Sequence, residues 1–426
     1  MRSVVICEGA SSALLYVHEA RKRGFVPIIV YAPRSGDMDA DPAISHFRKR
    51  AGSDVVYIKV GDEGYPGLLE KLKKYDIEAV VAGSEYGIRY AELLARDLNL
   101  NGNNPETTYM RCTKKGMAEG LRKKGLRCIE TAVVSCEEDI DRFWDENGID
   151  EAFMKYDVGV ASTNNKICRT RQEAKDNFKF VTNKVNNFGN KSEVLVQERI
   201  RGKEYAVNTM SCRGHHIITD VWRYKLVDNG GSDVVFGETR IVSIDSPEME
   251  ALKEYALKVV DALGFEYGPC HGEYFIDSKG PVLVETNARP MGASMEPEFY
   301  EEIIGSNIAD MALDAYADPE KFIENLPQSY VRPKKEANIV IPHSDKGADA
   351  DVWKYFGGIR DLRSFRFCMS EYGPGTVRIK KTADFESALM VVKLCGSRED
   401  VEYDTAEITR MEKEFNSSLQ DGDARL

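Results

Sequence analysis

Short apolar runs alternate with amphipathic stretches through the first hundred residues. Val4-Val5-Ile6-Cys7, Val26-Pro27-Ile28-Ile29-Val30, Asp54-Val55-Val56-Tyr57-Ile58 and Glu78-Ala79-Val80-Val81-Ala82 each carry the pattern of a buried strand. Between the first two, Glu8-Gly9-Ala10-Ser11-Ser12 is a small-residue turn. Residues 13–23 then have helical period, with Leu14, Leu15, Val17 and His18 on or near one face and Gly24 at the end. Strands alternating with helices predict a parallel α/β sheet. The Gly9–Ser12 turn reads either as a plain tight turn or as a phosphate cradle at a helix N-terminus; it lacks the GxGxxG fingerprint of a dinucleotide site.

Asn101-Gly102-Asn103-Asn104-Pro105 is a polar, turn-rich break and marks a boundary. Residues 106–127 read as helical and basic, mostly a solvated face. Residues 150–330 carry strand patterns punctuated by glycine, followed by helices. After Pro333 short strands and turns return, with turns at Gly357-Gly358 and Gly373-Pro374-Gly375 and a closing helix over residues 404–415. The expected division is an N-terminal α/β domain over residues 1–104, a central domain over 105–330 and a C-terminal lobe over 331–426.

Composition narrows the function. The 426 residues are 42% apolar and 30% charged, as in a folded chain of several domains. Lys+Arg is 58 against Asp+Glu 70, a net charge of −12, which supplies no general field for a polyanion and argues against nucleic acid as a partner. The N-terminal apolar run is cut by Glu8, too early for a secretory segment, and no stretch approaches the ~20 apolar residues of a membrane span. The nine cysteines form no CxxC pair and read as reduced thiols of a cytoplasmic protein, with neither a disulfide frame nor a zinc site.

The most informative segment is His271-Gly272-Glu273-Tyr274-Phe275-Ile276-Asp277-Ser278-Lys279-Gly280-Pro281-Val282-Leu283-Val284-Glu285-Thr286-Asn287-Ala288-Arg289-Pro290. Two strand patterns flank a Ser-Lys-Gly turn, so the segment predicts a hairpin in which Glu273 nearly faces Glu285. The Cβ atoms of such a pair lie ~5 Å apart, and two facing carboxylates repel. Asn287, two residues on, shares their face. The face is either solvated or holds a cation; Glu, Glu and Asn are hard oxygen ligands suited to Mg²⁺. Arg289, two residues further, can fork onto a phosphate or a carboxylate.

Glu273, Glu285, Asn287 and Arg289, ahead of Gly292, resemble the metal-binding end of the ATP-grasp fold, whose enzymes are carboxylate–amine or carboxylate–thiol ligases. Upstream features occur in that family's order. Lys114 with Met117 is similar to its first lysine, and the adjacent Lys115 is an alternative. Lys155, ending the apolar run Ala152-Phe153-Met154, is similar to the second. Residues 159–166, with Ser162, resemble the phosphate loop, though with only one glycine. Residues 194–205 resemble the adenine hinge: backbone groups around Gln197, Glu198 and Ile200 would meet the purine, and Glu204 the ribose hydroxyls.

The resemblance therefore implies a mixed α/β and α+β protein with an ATP-grasp fold. A Rossmann-like preATP-grasp domain would come first, then two ATP-grasp subdomains hinged near residues 197–204, then the C-terminal lobe. It implies ATP and one or two Mg²⁺ ions (or Mn²⁺) held by Glu273, Glu285 and Asn287. A small-molecule carboxylate would be activated as an acylphosphate, and an amine would displace the phosphate. Arg289 would orient the carboxylate. His271 shares the face of Glu273 and would either orient a metal ligand, contact substrate or act structurally. Trp222, Arg223, Tyr224 and Arg240 are candidates for the acceptor side, with Asn229-Gly230-Gly231-Ser232 as a closing loop. The run from His271 to Gly292 is most similar to L-amino-acid ligases, which make dipeptides. The competing expectations are a primary-metabolism ligase (purine-pathway or biotin carboxylase-like) and a regulatory nucleotide-binding protein without turnover. Two-lobed ligases of this kind often dimerise, which leaves a homodimer open.

Overall fold

A computed structural model describes residues 2–32, 42–157, 166–182, 193–228, 234–243, 245, 247–292, 296–326, 331–383, 385 and 387–419. The N-terminal sheet contains β1 (Arg2–Cys7), β2 (Val26–Tyr31), β3 (Val56–Lys59) and β4 (Asp76–Ala82) in the order β3-β2-β1-β4, all parallel. The apolar runs are buried on both sides because both faces are covered. Val5, Cys7, Ile28 and Val30 pack into one core cluster, while Val4, Ile6, Ile29 and Tyr31 pack into another. Each cluster also takes residues from the central domain, Val207 and Tyr274 in the first, Met210 and Cys212 in the second.

A four-stranded antiparallel sheet follows: β5 (Thr131–Val134), β6 (Ala152–Tyr156), β7 (Lys166–Cys168) and β8 (Val194–Glu198), ordered β5-β8-β6-β7. The next strands are β9 (Lys203–Cys212), β10 (His215–Asp228), β11 (Val234–Ile241), β12 (Tyr267–Asp277) and β13 (Gly280–Asn287). They belong to an eight-stranded sheet, completed by β14 (Glu336–Val340), β16 (Phe365–Met369) and β18 (Val391–Gly396) in the order β13-β12-β9-β10-β11-β14-β18-β16. The C-terminal residues thus extend the sheet that carries the carboxylate hairpin. A small sheet pairs β15 (Ala348–Ala350) with β17 (Val377–Ile379).

Two expectations are corrected. The basic stretch after residue 105 is not one helix. Helices Tyr109–Cys112 and Lys114–Lys123 are separated by Thr113, which is extended and whose hydroxyl accepts from the Gly116 amide as an N-cap. Gly116 permits the close approach of the two, since a Cβ there would lie 2.3 Å from the Tyr109 carbonyl oxygen. The closing helix is longer than its apolar pattern suggested, Arg398–Ser418, because Ser397 caps it and Glu399 and Asp400 favour its first turn. No described helix is long and apolar enough to cross a membrane.

Candidate active site

The hairpin register is the expected one: Glu273 pairs with Glu285 and His271 with Asn287. A bulge between Glu273 and Tyr274 leaves Val284 as the extra residue of β13. Three successive rows cross one face of the sheet through β10, β9, β12 and β13. The first is Asp220, Asn208, His271, Asn287; the second is Trp222, Ala206, Glu273, Glu285; the third is Tyr224, Glu204, Phe275, Val282. Side chains in register on alternate positions share a face, so chemistry from four strands converges without any long loop.

The middle of this face is dense in charge. Lys114 Nζ lies 3.0 Å from Glu285 Oε2, at the start of the helix that Thr113 caps. Met117, three residues on, accepts through its sulfur from the Thr286 amide, fixing that helix beneath β13. Lys115 points away, half-exposed, 3.8 Å from Glu193. Lys155 is buried near the end of β6. Burial, and then the charge of Lys114, push its pKa down to about 8 against the opposing pull of Glu285, Glu273 and Glu204. Burial raises the Glu285 carboxyl, but Lys114 and Lys155 more than offset it, and its pKa lies below the usual range. Glu204 goes the other way: burial first, then Glu273 and Glu285, hold it well above the usual carboxylate value. The raised Glu204 records the repulsion among three crowded carboxylates, which a bound divalent cation would relieve.

Beside the charged face lies a small apolar cluster of Ile129, Ile200 and Val282, with Phe275 and Val284 packed against it. It joins the four-stranded sheet to the hairpin at the segment read as the hinge. Gln197 Nε2 donates to Thr131 Oγ1 at 2.9 Å. The Glu198 amide donates to the Glu130 carbonyl and the Arg199 amide to that of Glu151. Those two N–H groups are therefore spent inside the protein.

Arg289 is buried at the junction with the N-terminal domain. Its Nη2 donates to Glu85, which sits in the short 3₁₀ turn Glu85–Gly87 just past β4, and its Nη1 donates to its neighbour's carbonyl, Pro290 O, at 2.8 Å. Gly87 lets that turn lie against β1, since a Cβ there would sit 2.0 Å from the Cys7 carbonyl oxygen. Nε of Arg289 has no partner among the described residues, and burial lowers the guanidinium to about 9. Ser11, left-handed with φ 51° in the Gly9–Ser12 turn, brings its hydroxyl to the same spot, 3.3 Å from where a Cβ on Gly292 would be.

Lys114, Lys155, Glu204, Glu273, Glu285 and His271 come together, with Asn287 in register beside them; Ile200 packs in the adjoining apolar cluster, while Gln197 and Glu198, the last residues of β8, point to opposite faces of that strand. Ser162 and residues 229–232 lie outside the described residues. Of the residues considered for the acceptor side, Tyr224 faces the site, its hydroxyl pushed well above its usual value by burial and by Glu273, Glu204 and Glu285. Trp222 is wholly buried and donates to Asp220. Arg223 takes the opposite, exposed side of β10, and Arg240 pairs with Glu336 and Glu402, so neither lines the face. Sequence reasoning missed Glu85, Asn208 and Asp220. Only the strand alternation of β9 and β10 hinted at the last two.

Residues 150–298 match the ATP-grasp domain family. The chain is 29% identical over 268 residues to dapdiamide A synthase from Enterobacter agglomerans, a match covering 62% of this chain and 62% of that protein. The chain thus spans about three fifths of the length of that curated relative. Among solved structures, an L-amino acid ligase from Bacillus licheniformis superposes with a TM-score of 0.74 at 16% identity, covering 96% of this chain and 97% of that one. A carboxyaminoimidazole ribonucleotide synthase from Aspergillus clavatus gives 0.70 at 12%, covering 97% and 99%. The fold is that of the ATP-grasp proteins. The family match lies within that fold, over residues 150–298.

Proposed function

We propose that the protein is an ATP-dependent carboxylate–amine ligase that joins amino acids, or an amino acid and another small carboxylate, releasing ADP and phosphate. The observation that carries this reading is the convergence of Glu273, Glu285 and Glu204 with Lys114 and Lys155 on one sheet face, beside a buried arginine with a donor unspent among the described residues. Relatives named as a dapdiamide synthase and an L-amino acid ligase support it.

In this reading Glu273, Glu285 and Asn287 hold Mg²⁺, for which Mn²⁺ could substitute; the hard oxygen donors and the crowding of carboxylates fit such an ion. The bound ion would neutralise charge on the phosphates. Lys114 and Lys155 place point charges against the phosphate chain. The purine lies on Ile200 and its apolar neighbours, with Gln197 at its edge and the hinge contributing groups other than the amides of Glu198 and Arg199. Glu204 reaches the ribose side, and Ser162 belongs to the phosphate loop. Arg289 receives the carboxylate, exchanging Glu85 for it, and stabilises the charge that develops as its phosphate is displaced by the amine. The partners are small molecules.

The test is Mg²⁺-dependent phosphate release from ATP with the twenty amino acids singly and in pairs, with products identified by mass spectrometry. Phosphate with a dipeptide supports the reading. Phosphate with one amino acid alone points to a different acceptor amine. ATP binding without release in any mixture turns the reading toward a specialised carboxylate or a regulatory protein. Glu285→Ala should abolish turnover with the fold retained; wild-type turnover in that variant removes the site.

A further inference from the structure

The first row of the sheet face contains a buried chain of hydrogen bonds whose direction is fixed. Asp220 is buried on β10, and four donors converge on its carboxylate. Oδ1 accepts from Asn208 Nδ2 and Trp222 Nε1, each at 2.5 Å; Oδ2 accepts from Tyr300 at 2.7 Å and Thr219 at 2.8 Å. An indole N–H can only donate, so Oδ1 is an acceptor. Asn208 must then turn its NH₂ toward Asp220. Flipping that amide would set a carbonyl oxygen 2.5 Å from a carboxylate oxygen and against the Tyr300 oxygen, whose hydrogen is already given to Asp220. The Asn208 carbonyl therefore faces His271, 2.8 Å from Nδ1. A carbonyl oxygen can only accept, so the hydrogen is on Nδ1. Nε2, 3.4 Å from Glu273 Oε1, is left as the nitrogen that faces the site.

We propose that Asp220 and Asn208 are positioning residues that hold a hydrogen on His271 Nδ1 and so turn Nε2 toward Glu273 and the site. The row thereby fixes which ring nitrogen faces the charged centre. All three members are at least nine-tenths buried, so water does not compete for these bonds.

The inference rests on the ligase reading only for its kinetic arm. The ring is read without turnover, by ¹⁵N NMR of the full chain labelled in histidine, with His271 assigned by its loss in His271→Gln. Expected is a hydrogen on Nδ1. Hydrogen on Nε2 with Nδ1 bare overturns the proposal whether or not the enzyme turns over. Asp220→Asn releases the Asn208 amide to flip; it should mix the two ring forms and lower kcat about 10–100-fold, with the KM for ATP changed far less. The double swap Asn208→Asp with Asp220→Asn restores an acceptor at position 208 and should recover both the Nδ1 hydrogen and most of kcat, which a merely structural loss would not allow. Unchanged ring form and kcat in Asp220→Asn also overturn it. Should that variant fail to fold, Asn208→Ala, which leaves the other three donors to Asp220 in place, carries the same two readouts.

Discussion

Two buried arginines tie the N-terminal domain to the rest of the chain, and they are built differently. Arg111 has no exposed surface, and all five of its N–H groups are used. Nε and Nη2 fork onto Glu92 at 2.8 and 2.9 Å; Nη1 reaches Thr107, Leu263 and Gly264; Nη2 also reaches Asn104. Arg289 meets Glu85 through one nitrogen and leaves Nε without a partner among the described residues. Glu85 keeps some contact with solvent, whereas Glu92 is buried. A saturated arginine has nothing left to offer a ligand. An unsaturated one, held in a dry place at the edge of a charged face, is costly to the fold and useful to a substrate.

The largest effect should come from breaking the saturated pair. Arg111→Met strands the Glu92 carboxylate and orphans two carbonyls. Removing one partner of such a pair costs about 3–5 kcal/mol. Denaturant unfolding should show that loss, while turnover per folded molecule stays near wild type. Turnover lost in step with Arg111 at full stability would erase the distinction.

Arg289→Ala should reverse the pattern. Loss of a donor aimed at developing charge lowers kcat/KM by about 10²–10³, or 2.7–4 kcal/mol. Stability should fall less than in Arg111→Met, because Glu85 can turn to water. Glu85→Gln sharpens the contrast. It weakens the hold on Arg289 without removing the guanidinium, and should lower the KM for the carboxylate substrate.

Lys155 gives a smaller effect with a defined pH window. Its pKa near 8 means that it loses charge as pH rises through that value, among Lys114, Glu285, Glu273 and Glu204. A polyanion binds best to the charged form and restores it on binding. ATP affinity should therefore be flat below pH 8 and weaken above it, by at most about tenfold per pH unit for one linked proton. Lys155→Met should bind ATP more weakly at every pH and lose this dependence. Calorimetric titration from pH 7 to 9.5 reads it, and a wild-type profile flat across the window sinks the assignment.

The contrast also marks what the sequence could reveal. The facing of Glu273 and Glu285 was legible from a Ser-Lys-Gly turn, but the structure reaches it by another route: Asp277 pairs with Gly280 across a two-residue turn, and the bulge at Val284 shifts the register by one. Lys155 was legible as a charge ending an apolar strand. Glu85 was not, since it meets Arg289 across 204 residues and sits in a short turn with no pattern of its own. Asn208 and Asp220 look like ordinary polar positions on long strands. Their meaning lies in the order that sets β9 between β10 and β12, which no local pattern encodes. The extension of the central sheet by β14, β18 and β16 was hidden for the same reason, since strand patterns announce a strand but not its neighbour.

The smallest expected effect tests a choice that the sequence left open, between adjacent lysines. Helical geometry turns neighbours about 100° apart, so only one of the two can face the hairpin. Lys114 is nearly buried on Glu285, and Lys115 is half-exposed near Glu193. The backbone amide of Lys115 does hold Asp157 at 2.9 Å, but any residue except proline supplies that hydrogen. Lys115→Ala removes a solvated charge and leaves the amide, so stability should change by less than about 0.5 kcal/mol and the KM for ATP by less than a factor of about two. Lys114→Ala should raise that KM and also lift the pKa of Glu285, which loses its nearest positive charge. Equal effects of the two substitutions would mean that the helix enters the site in a different rotation when nucleotide is bound.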